Sequence, residues 1–385
     1  LYTLDECRTL ALENSAKIKN SRFEVEAANQ TSKEAFTNYF PNVSAMGAIF
    51  KASDDMMQMD IEMPVPGLSS LPMEMINQGK MAAVTLVQPV FMGGRIVNGN
   101  KLAKIGKQVS EYQLALTENQ VEASVDQYYW QLVALKEKLR TLETLETQLD
   151  GIHKDVEASV NAGLATRNDL LRVELQQQNI AAGRLKVENG VSVTKMLLCH
   201  LVGVEREEFE IAFDQFPAVV SPLDYYVNPE EGLENRSESK LLDKSVEAAK
   251  LQLRMTRGEN LPSLGVGAGY IYHDLTDKDT DFGVIFATVS VPITSWWGGS
   301  HAIKREKIKK QQAENTREES REMMLVEIEA KWNELQEAYQ QVLLSEKSIE
   351  SSTENLRLNN DYYKAGTVSL SDLLDAQSLM QQSHD

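Results

Sequence analysis

The decapeptides AGLATRNDLL at residues 162–171 and AGTVSLSDLL at residues 365–374 are identical at five of ten positions and lie 203 residues apart. Pro89 and Pro292 have the same separation, and each follows a segment of alternating apolar residues and precedes a Gly-Gly pair. Similarity at a fixed distance indicates that one structural unit occurs twice. We therefore infer two tandem copies of one order: helix, strand, loop, strand, Gly-Gly, very long helix, Ala-Gly turn and returning helix.

The segments between the Gly-Gly pairs and the Ala-Gly turns predict very long helices. Proline disrupts a helix interior, and none occurs between Pro89 and Pro217 or after Pro292. At about 1.5 Å per residue, a helix from His301 to Lys364 would be roughly 100 Å long, which predicts an elongated protein. Apolar residues recur at intervals of three and four, the period of coiled-coil packing. They are Val121, Val125, Tyr128, Leu132, Leu135, Leu139, Leu142, Leu149, Ile152 and Val156, then Leu325, Ile328, Trp332, Leu335, Tyr339, Val342, Ile349, Leu356 and Tyr363.

The composition excludes several classes of protein. The 385 residues carry 57 acidic and 39 basic side chains, a net charge of −18, whereas a nucleic-acid partner requires clustered Lys and Arg. No run approaches the roughly 18 consecutive apolar residues of a membrane-spanning helix, so a multi-helix transporter is excluded. Two cysteines are too few for a four-ligand metal centre. The five scattered histidines and the lack of a Gly-x-Ser-x-Gly motif predict no enzyme, no cofactor and no metal site.

Four segments of about ten residues alternate apolar side chains with small or polar ones, at about 42–51, 81–91, 263–273 and 283–293. Such alternation is typical of strands with two different faces, and ten residues is the length of a tilted strand that crosses a bilayer. One interpretation is a soluble sandwich that caps a coiled coil, and the other is a membrane barrel. Four strands leave two open edges, so a barrel would be assembled from several chains, with eight, twelve or sixteen strands.

The two strand-to-helix junctions and the two turns carry a family resemblance. The junctions QPVFMGGR (88–95) and VPITSWWGGS (291–300), with the Ala-Gly turns followed by Asp-Leu-Leu, resemble the TolC family of bacterial outer-membrane efflux proteins over essentially the whole chain. The resemblance implies a mainly α fold with a membrane β-barrel. A homotrimer would place a 12-stranded barrel in outer-membrane lipid, on a 12-helix coiled-coil α-barrel. It also implies a periplasmic adaptor (membrane fusion) protein and an inner-membrane efflux or secretion pump as partners, in a tripartite efflux or type I secretion system.

The chain then divides into three parts. Residues 1–201 form the first repeat, with a long helix at 95–161 and a returning helix at 166–201. Residues 202–234 resemble the family's equatorial connector. Residues 235–385 form the second repeat, with a long helix at 300–364 and a returning helix at 369–385 that we expect to be truncated, because it ends earlier than its counterpart. This plan brings Cys7 and Cys199 near the connector, where an oxidising periplasm permits a disulfide.

The resemblance assigns adaptor contacts to the tips of the two helical hairpins: Ala162, Gly163, Leu164, Ala365, Gly366 and Thr367. Glycine suits a tight helix-to-helix reversal because it adopts positive φ at no steric cost. The alternative is that these turns serve only to reverse the chain.

The resemblance also implies a periplasmic gate just past the second turn. Asp372 and Asp375 lie at i and i+3, so they would form two carboxylate rings in a trimer. Such rings favour cations, bind multivalent cations and raise some pKa values by mutual repulsion. Asp169 and Tyr363 match polar positions that lock the closed state, but Val368 stands where a basic residue is often found, so we expect one salt bridge to be missing. The alternative is that these acids only favour helix N-termini.

Six methionines crowd the loop between the first two strands: Met56, Met57, Met59, Met63, Met73 and Met75. Thioethers bind soft cuprous or silver ions, which would indicate a metal-efflux outlet. Methionine is also adaptable apolar filler, which suits a loop folded over a barrel mouth. We favour the apolar loop over metal binding, because no Cys or His accompanies these methionines.

The leading functional hypothesis is a passive, trimeric exit duct in the bacterial outer membrane with a long periplasmic extension. The alternative is a non-conducting periplasmic coiled-coil scaffold or adhesin. That alternative explains the coiled-coil period of the long helices, but not the two different faces of the strands or the duplicated hairpins. The sequence leaves the cargo open among drugs, metals and polypeptides.

Overall fold

The computed structural model describes residues 1–54, 56–61, 71–76, 78–213, 215–275, 279–293 and 295–385. Helices dominate these ranges: α1 (Leu4–Asn14), α2 (Ala16–Thr37), α3 (Arg95–Asn161), α4 (Arg167–Val202), α5 (Pro229–Asn235), α6 (Ser237–Glu259), α7 (Ser295–Lys364) and α8 (Leu370–His384). The strands are β1 (Asn42–Lys51), β2 (Met57–Ile61), β3 (Leu71–Ile76), β4 (Gln78–Met92), β5 (Ser263–Asp274) and β6 (Asp279–Ser290). The predicted class, mainly α with a duplicated order of helices and strands, is confirmed. Within the described ranges, each helix is too short or too polar to cross a membrane.

The chain forms two compact units. The first contains Leu1–Phe23, Tyr112–Ser239 and Ser320–Asp385, and the second contains Glu24–Glu111 and Lys240–Glu319. The first unit therefore holds both hairpin turns and the connector. The second holds the sheet and the junctions between strands and helices.

Two clusters of buried apolar side chains form the core of the first unit. One joins α1, α3 and α4 around Phe209, which is fully buried. The other joins α3, α4, α7 and α8 and includes Leu149, Val156 and Leu373. The apolar residues predicted on α3 are buried or half-buried in these clusters, because one side of the helix faces its neighbours along its length.

The apolar residues predicted on α7 are covered less completely within the chain. Leu335 and Val342, two helical turns apart on one side of α7, are 45% and 42% exposed. Val326 and Leu344, 18 residues apart on the opposite side, are more exposed still. Apolar side chains left exposed at helical spacing are typical of surfaces that pack against another element.

A four-stranded antiparallel sheet has the order β1-β4-β5-β6, so its central pair joins the two repeats and β1 and β6 lie at its edges. The strands β2 and β3 pair separately, in the segment expected to be a loop. Met63 lies outside the described residues. The expectation of a plain loop missed this hairpin because the stretch is rich in Met and Pro and its alternation is weak.

The two faces of the sheet differ. The register places Gly265, Gly267 and Gly269 on one face, which we call the small-residue face. Ser44 and Thr85 are paired on it, with their hydroxyl oxygens 2.9 Å apart. A Cβ at Gly267 would lie 2.4 Å from the Phe286 ring and 2.8 Å from the backbone carbonyl oxygen of Leu86, so β4 leaves room only for glycine there. The opposite face carries exposed apolar side chains such as Ile285, which is 88% exposed.

Three elements have boundaries that differ from the expected ones by three residues or more. β4 spans Gln78–Met92 rather than 81–91. β6 spans Asp279–Ser290 rather than 283–293, since it pairs from its first residue with the end of β5, and Pro292 cannot donate to a ladder. α7 begins at Ser295 rather than residue 300, so it includes both glycines of its Gly-Gly pair.

The two Gly-Gly pairs therefore have different roles. Gly93 and Gly94 have φ values of 62° and 75° and form a turn. In contrast, Gly299 lies within α7, where a Cβ would be 1.8 Å from the Asn260 side chain. The sequence similarity of the junctions reflects a shared need for space more than a shared backbone conformation.

The connector packs against the N-terminal segment in the first unit. Tyr2 forms a parallel bridge with Ile211 and stacks on Phe209 with ring centroids 5.2 Å apart. Cys7 and Cys199 are both free thiols in the cluster around Phe209. Burial raises the pKa of the Cys7 thiol to about 11, which keeps it protonated at neutral pH.

Candidate functional site

The first helix-to-helix turn is a Schellman motif. Gly163 has a φ of 74° and its N–H donates to the Val160 carbonyl at 3.0 Å. The Leu164 N–H donates to the Ser159 carbonyl at 2.8 Å. These bonds satisfy carbonyl groups that the end of α3 would otherwise leave unpaired, and the left-handed conformation they require explains the glycine.

The second turn repeats this geometry 203 residues later. Gly366 has a φ of 72° and its N–H donates to the Tyr363 carbonyl at 2.9 Å. The Thr367 N–H donates to the Tyr362 carbonyl at 2.9 Å, and the Thr367 hydroxyl donates to the same oxygen at 3.0 Å. The duplication predicted from the sequence is thus preserved in the backbone hydrogen bonds of the two tips.

A capping box follows the first turn and begins α4. The Asp169 carboxylate accepts from the Thr166 N–H at 3.0 Å and from its hydroxyl at 2.7 Å. The Asp169 N–H donates to the Thr166 hydroxyl oxygen at 3.3 Å. These hydrogen bonds hold the pKa of the Asp169 carboxyl below its usual range.

The same box begins α8. The Asp372 carboxylate accepts from the Ser369 N–H at 3.0 Å and from its hydroxyl at 2.7 Å, and the Asp372 N–H donates to the Ser369 hydroxyl oxygen. The bonds from Ser369 lower the pKa of Asp372, so this carboxylate is ionised at neutral pH in the single chain. Asp372 therefore has a structural role whether or not it also acts in a gate.

Asp372 and Asp375 share the exposed side of α8. The opposite side of the helix is buried against the core through Leu370, Leu373 and Ala376. The two carboxylates thus stand one helical turn apart and point away from the packed interior. This side of α8 is a negatively charged surface.

Tyr363 links the second hairpin to the first. It is half-buried against the cluster of α3, α4, α7 and α8. Burial raises the pKa of its phenol, and the nearby carboxylates of Asp169 and Asp155 raise it further. The structure therefore brings Tyr363 close to Asp169, although no hydrogen bond joins them in the described part of the chain.

The six predicted tip residues are exposed, with Leu164 at 84%. Beside the second tip, a cavity of about 410 Å³ lies between α3, α7 and α8. Arg357 and Lys364 border it, and Gln377, only 3% exposed, lines its inner side. Arg357 itself is held by Glu354 and Asp361 at 2.7 and 3.0 Å.

Sequence reasoning missed Thr166 and Ser369. Their signal was present, because a Ser or Thr three residues before an acid at the start of an apolar run is typical of a capping box. It also missed the cavity, since Arg357 and Gln377 come from different helices and nothing in their local sequence connects them.

The comparisons with known proteins agree with this architecture. The model of the family described as "Outer membrane efflux protein" matches residues 8–192 and 229–385. The chain belongs to the outer membrane efflux protein family. The resemblance to TolC-type proteins is thereby confirmed, as is the predicted localisation in the bacterial outer membrane with a long periplasmic helical extension.

Solved structures of outer-membrane proteins share the fold of this outer membrane efflux protein. It is similar to the outer-membrane channel OprN, with a TM-score of 0.84, 14% identity, and 99% of this chain and 84% of OprN covered. VceC from Vibrio cholerae has a TM-score of 0.80 at 14% identity, with 99% and 90% covered. CmeC from Campylobacter jejuni has a TM-score of 0.81 at 15% identity, with 99% of this chain and 80% of CmeC covered. No curated protein matches the sequence.

Proposed function

We propose that this outer membrane efflux protein is a passive trimeric exit duct without enzymatic activity, recruited by a periplasmic adaptor and an inner-membrane pump. The observation that carries the proposal is the single sheet in which β1 and β4 of the first repeat join β5 and β6 of the second. The edges of this sheet lie at β1 and β6. A membrane barrel cannot leave an edge open, so three copies of four strands, closed edge to edge, form a twelve-stranded barrel.

The α7 surface supports a trimer. Leu335 and Val342 remain exposed seven residues apart on one side of the helix within one chain. Covering them against a neighbouring copy stabilises the assembly, since burial of apolar surface contributes roughly 25 cal/mol per Å². The same association that closes the barrel thus closes a ring of helices.

The hairpin tips are the proposed adaptor contacts. Ala162, Gly163 and Leu164 of the first tip and Ala365, Gly366 and Thr367 of the second are exposed and small or apolar. Their backbones are fixed by Schellman hydrogen bonds, so a partner meets rigid surfaces with little ordering cost.

The charged side of α8 is the proposed gate. In a trimer, Asp372 and Asp375 form two rings of three carboxylates at the periplasmic end. Three carboxylates at close quarters attract multivalent cations and favour cations over anions. Asp169 belongs to the first helical hairpin and Tyr363, which lies near it, to the second. Movement of one hairpin against the other would change their separation, so we assign both residues to the lock of the closed state.

Planar-bilayer recording of the purified protein tests the proposal. The double variant Asp372→Asn/Asp375→Asn keeps side-chain shape and removes charge, so we expect higher conductance and loss of block by a trivalent cation such as hexamminecobalt. Glu230→Gln, an exposed carboxylate of α5, is the matched control and should leave block unchanged. Block that survives in the double variant overturns the gate assignment.

The same recordings decide between a duct and a scaffold. A scaffold gives no cation-selective channels, even when both gate carboxylates are neutral. It is also released from the outer membrane by mild extraction, whereas the duct stays in the membrane fraction. Absence of channels together with release overturns the proposed function.

A further inference from the structure

The small-residue face carries two methionines and one histidine near the end of the sheet where β5 ends and β6 begins. Met81 of β4 is the direct register partner of His273 of β5. Met46 of β1 pairs with Ala83, which places it diagonally next to Met81 on the same face. Directly paired Cβ atoms in a sheet lie about 4.5–5.5 Å apart and diagonal neighbours about 7–8 Å, within reach of long side chains. Three strands therefore bring two thioethers and one imidazole together.

His273 has unused binding capacity. Its Nδ1 atom is buried and has no hydrogen-bond partner among the described residues. The ring packs edge-on against Phe282, with centroids 6.1 Å apart. A buried polar atom without a partner requires an explanation, and a ligand that the atom would bind is one.

The surroundings select the kind of ligand. The register positions of the small-residue face carry no charged side chain in the described strands, from Asn42 to Phe50 on β1 and from Thr280 to Ser290 on β6. Hard divalent cations such as Ca²⁺ and Mg²⁺ are held in proteins largely by carboxylates, which the described register positions of this face lack. Thioether sulfur selects Cu(I), imidazole also binds copper, and neutral ligands suit a single positive charge.

We propose that Met46, Met81 and His273 bind one soft monovalent metal ion, Cu(I) or its analogue Ag(I). Methionine has three rotatable bonds, so both sulfurs can turn toward the imidazole without movement of the strands. The crowded methionines of residues 56–75 have no histidine beside them in the sequence, whereas Met81 has one across the sheet. His273 lies about 200 residues further along the chain, and the register sets it opposite Met81. Binding here does not depend on conductance or on any partner.

Cu(I) competition tests the site on the purified, full-length chain in detergent. Bicinchoninate holds Cu(I) as a coloured complex, and we expect the wild-type chain to withdraw one ion per protomer from it. Met81→Leu and His273→Leu should each weaken binding by at least about 10- to 100-fold, since each removes a ligand and that is the loss typical for a residue that merely supports one. Met323→Leu, which replaces a 64% exposed methionine of α7, is the matched control and should bind like the wild type.

A second variant separates the site from the methionine-rich hairpin. With Leu at positions 56, 57, 59, 63, 73 and 75, the chain should still withdraw the ion. Loss of binding in this variant, or wild-type binding in Met81→Leu and His273→Leu, overturns the proposal.

If His273→Leu does not fold by circular dichroism, the isosteric Met46→Leu and Met81→Leu carry the test. Methyl NMR of [¹³C]methionine-labelled protein during Ag(I) titration adds an independent readout. The Met46 and Met81 resonances should shift at one equivalent while that of Met323 stays fixed. A shift of the hairpin methionines alone contradicts the assignment.

Discussion

The contact between α6 and the turn after β4 makes a single added methyl group costly. A Cβ at Gly258 would lie 2.2 Å from the Gly93 carbonyl oxygen, and the obstacle is backbone that cannot rotate away. One of the two segments must shift by about 1 Å, and such overpacking typically costs about 1–3 kcal/mol. Gly258→Ala should therefore destabilise the protein, although the same change in an open helix stabilises it.

Gly106→Ala supplies the matched control. Gly106 lies in α3, in the same unit, and a Cβ added there would have no other atom within 4 Å. The substitution should stabilise by about 0.5–1 kcal/mol, because alanine loses less backbone entropy on folding. The two variants should thus differ by about 1.5–4 kcal/mol in free energy of unfolding. Urea unfolding followed by far-UV circular dichroism measures this difference, and equal stability of the two variants would refute the close contact.

The helical hairpins supply three further tests. Leu373→Ala should cost about 2–5 kcal/mol in urea unfolding because the side chain is 1% exposed, whereas Leu171→Ala, at 51% exposure, should cost far less. Ser369→Ala removes the cap of α8 and should lower stability by about 0.5–2 kcal/mol; rescue by Ser369→Thr but not by Ser369→Val ties the loss to the hydroxyl. The folded-state pKa of Asp169 is lowered, so its stabilising effect is complete above the unfolded value and disappears as pH falls through the folded value. The Tm difference between the wild type and Asp169→Asn should therefore be largest above about pH 5 and shrink below about pH 4, and a difference that grows on acidification contradicts the cap.

The sequence predicts the features that depend on local pattern. The apolar period on α3 and the absence of proline after Pro292 are sufficient for long helices, because both act within a few residues. Glycine in an Ala-Gly turn predicts positive φ, and Gly163 and Gly366 have it. Local pattern does not predict the register between β4 and β5, since it pairs residues from different repeats.

The same limit applies to the candidate sites. The sequence suggests Asp372 as a gate residue, yet its capping hydrogen bonds with Ser369 also depend on the backbone of the first turn of α8. Gly299 belongs to a junction motif in the sequence but lies inside α7, where the Asn260 side chain occupies the space that a Cβ would take. His273 is an isolated histidine in the sequence. Only the pairing of strands makes it a neighbour of Met81.

The central strand pair also constrains how the protein folds. The β5–β6 hairpin closes over a few residues, from Asp274 to Asp279, whereas β4 and β5 join Lys80 to Asp274 across most of a repeat. Each doubling of a closed loop costs roughly 0.6 kcal/mol in chain entropy, and distant pairings form slowly. Pairing of β4 with β5 must therefore be the late step of sheet formation, after synthesis has supplied the second repeat. Of the four-stranded sheet, a nascent chain that stops before β5 holds only the β1–β4 pair, with one side of β4 unpaired. Half a sheet of this kind cannot enter a membrane ahead of the rest.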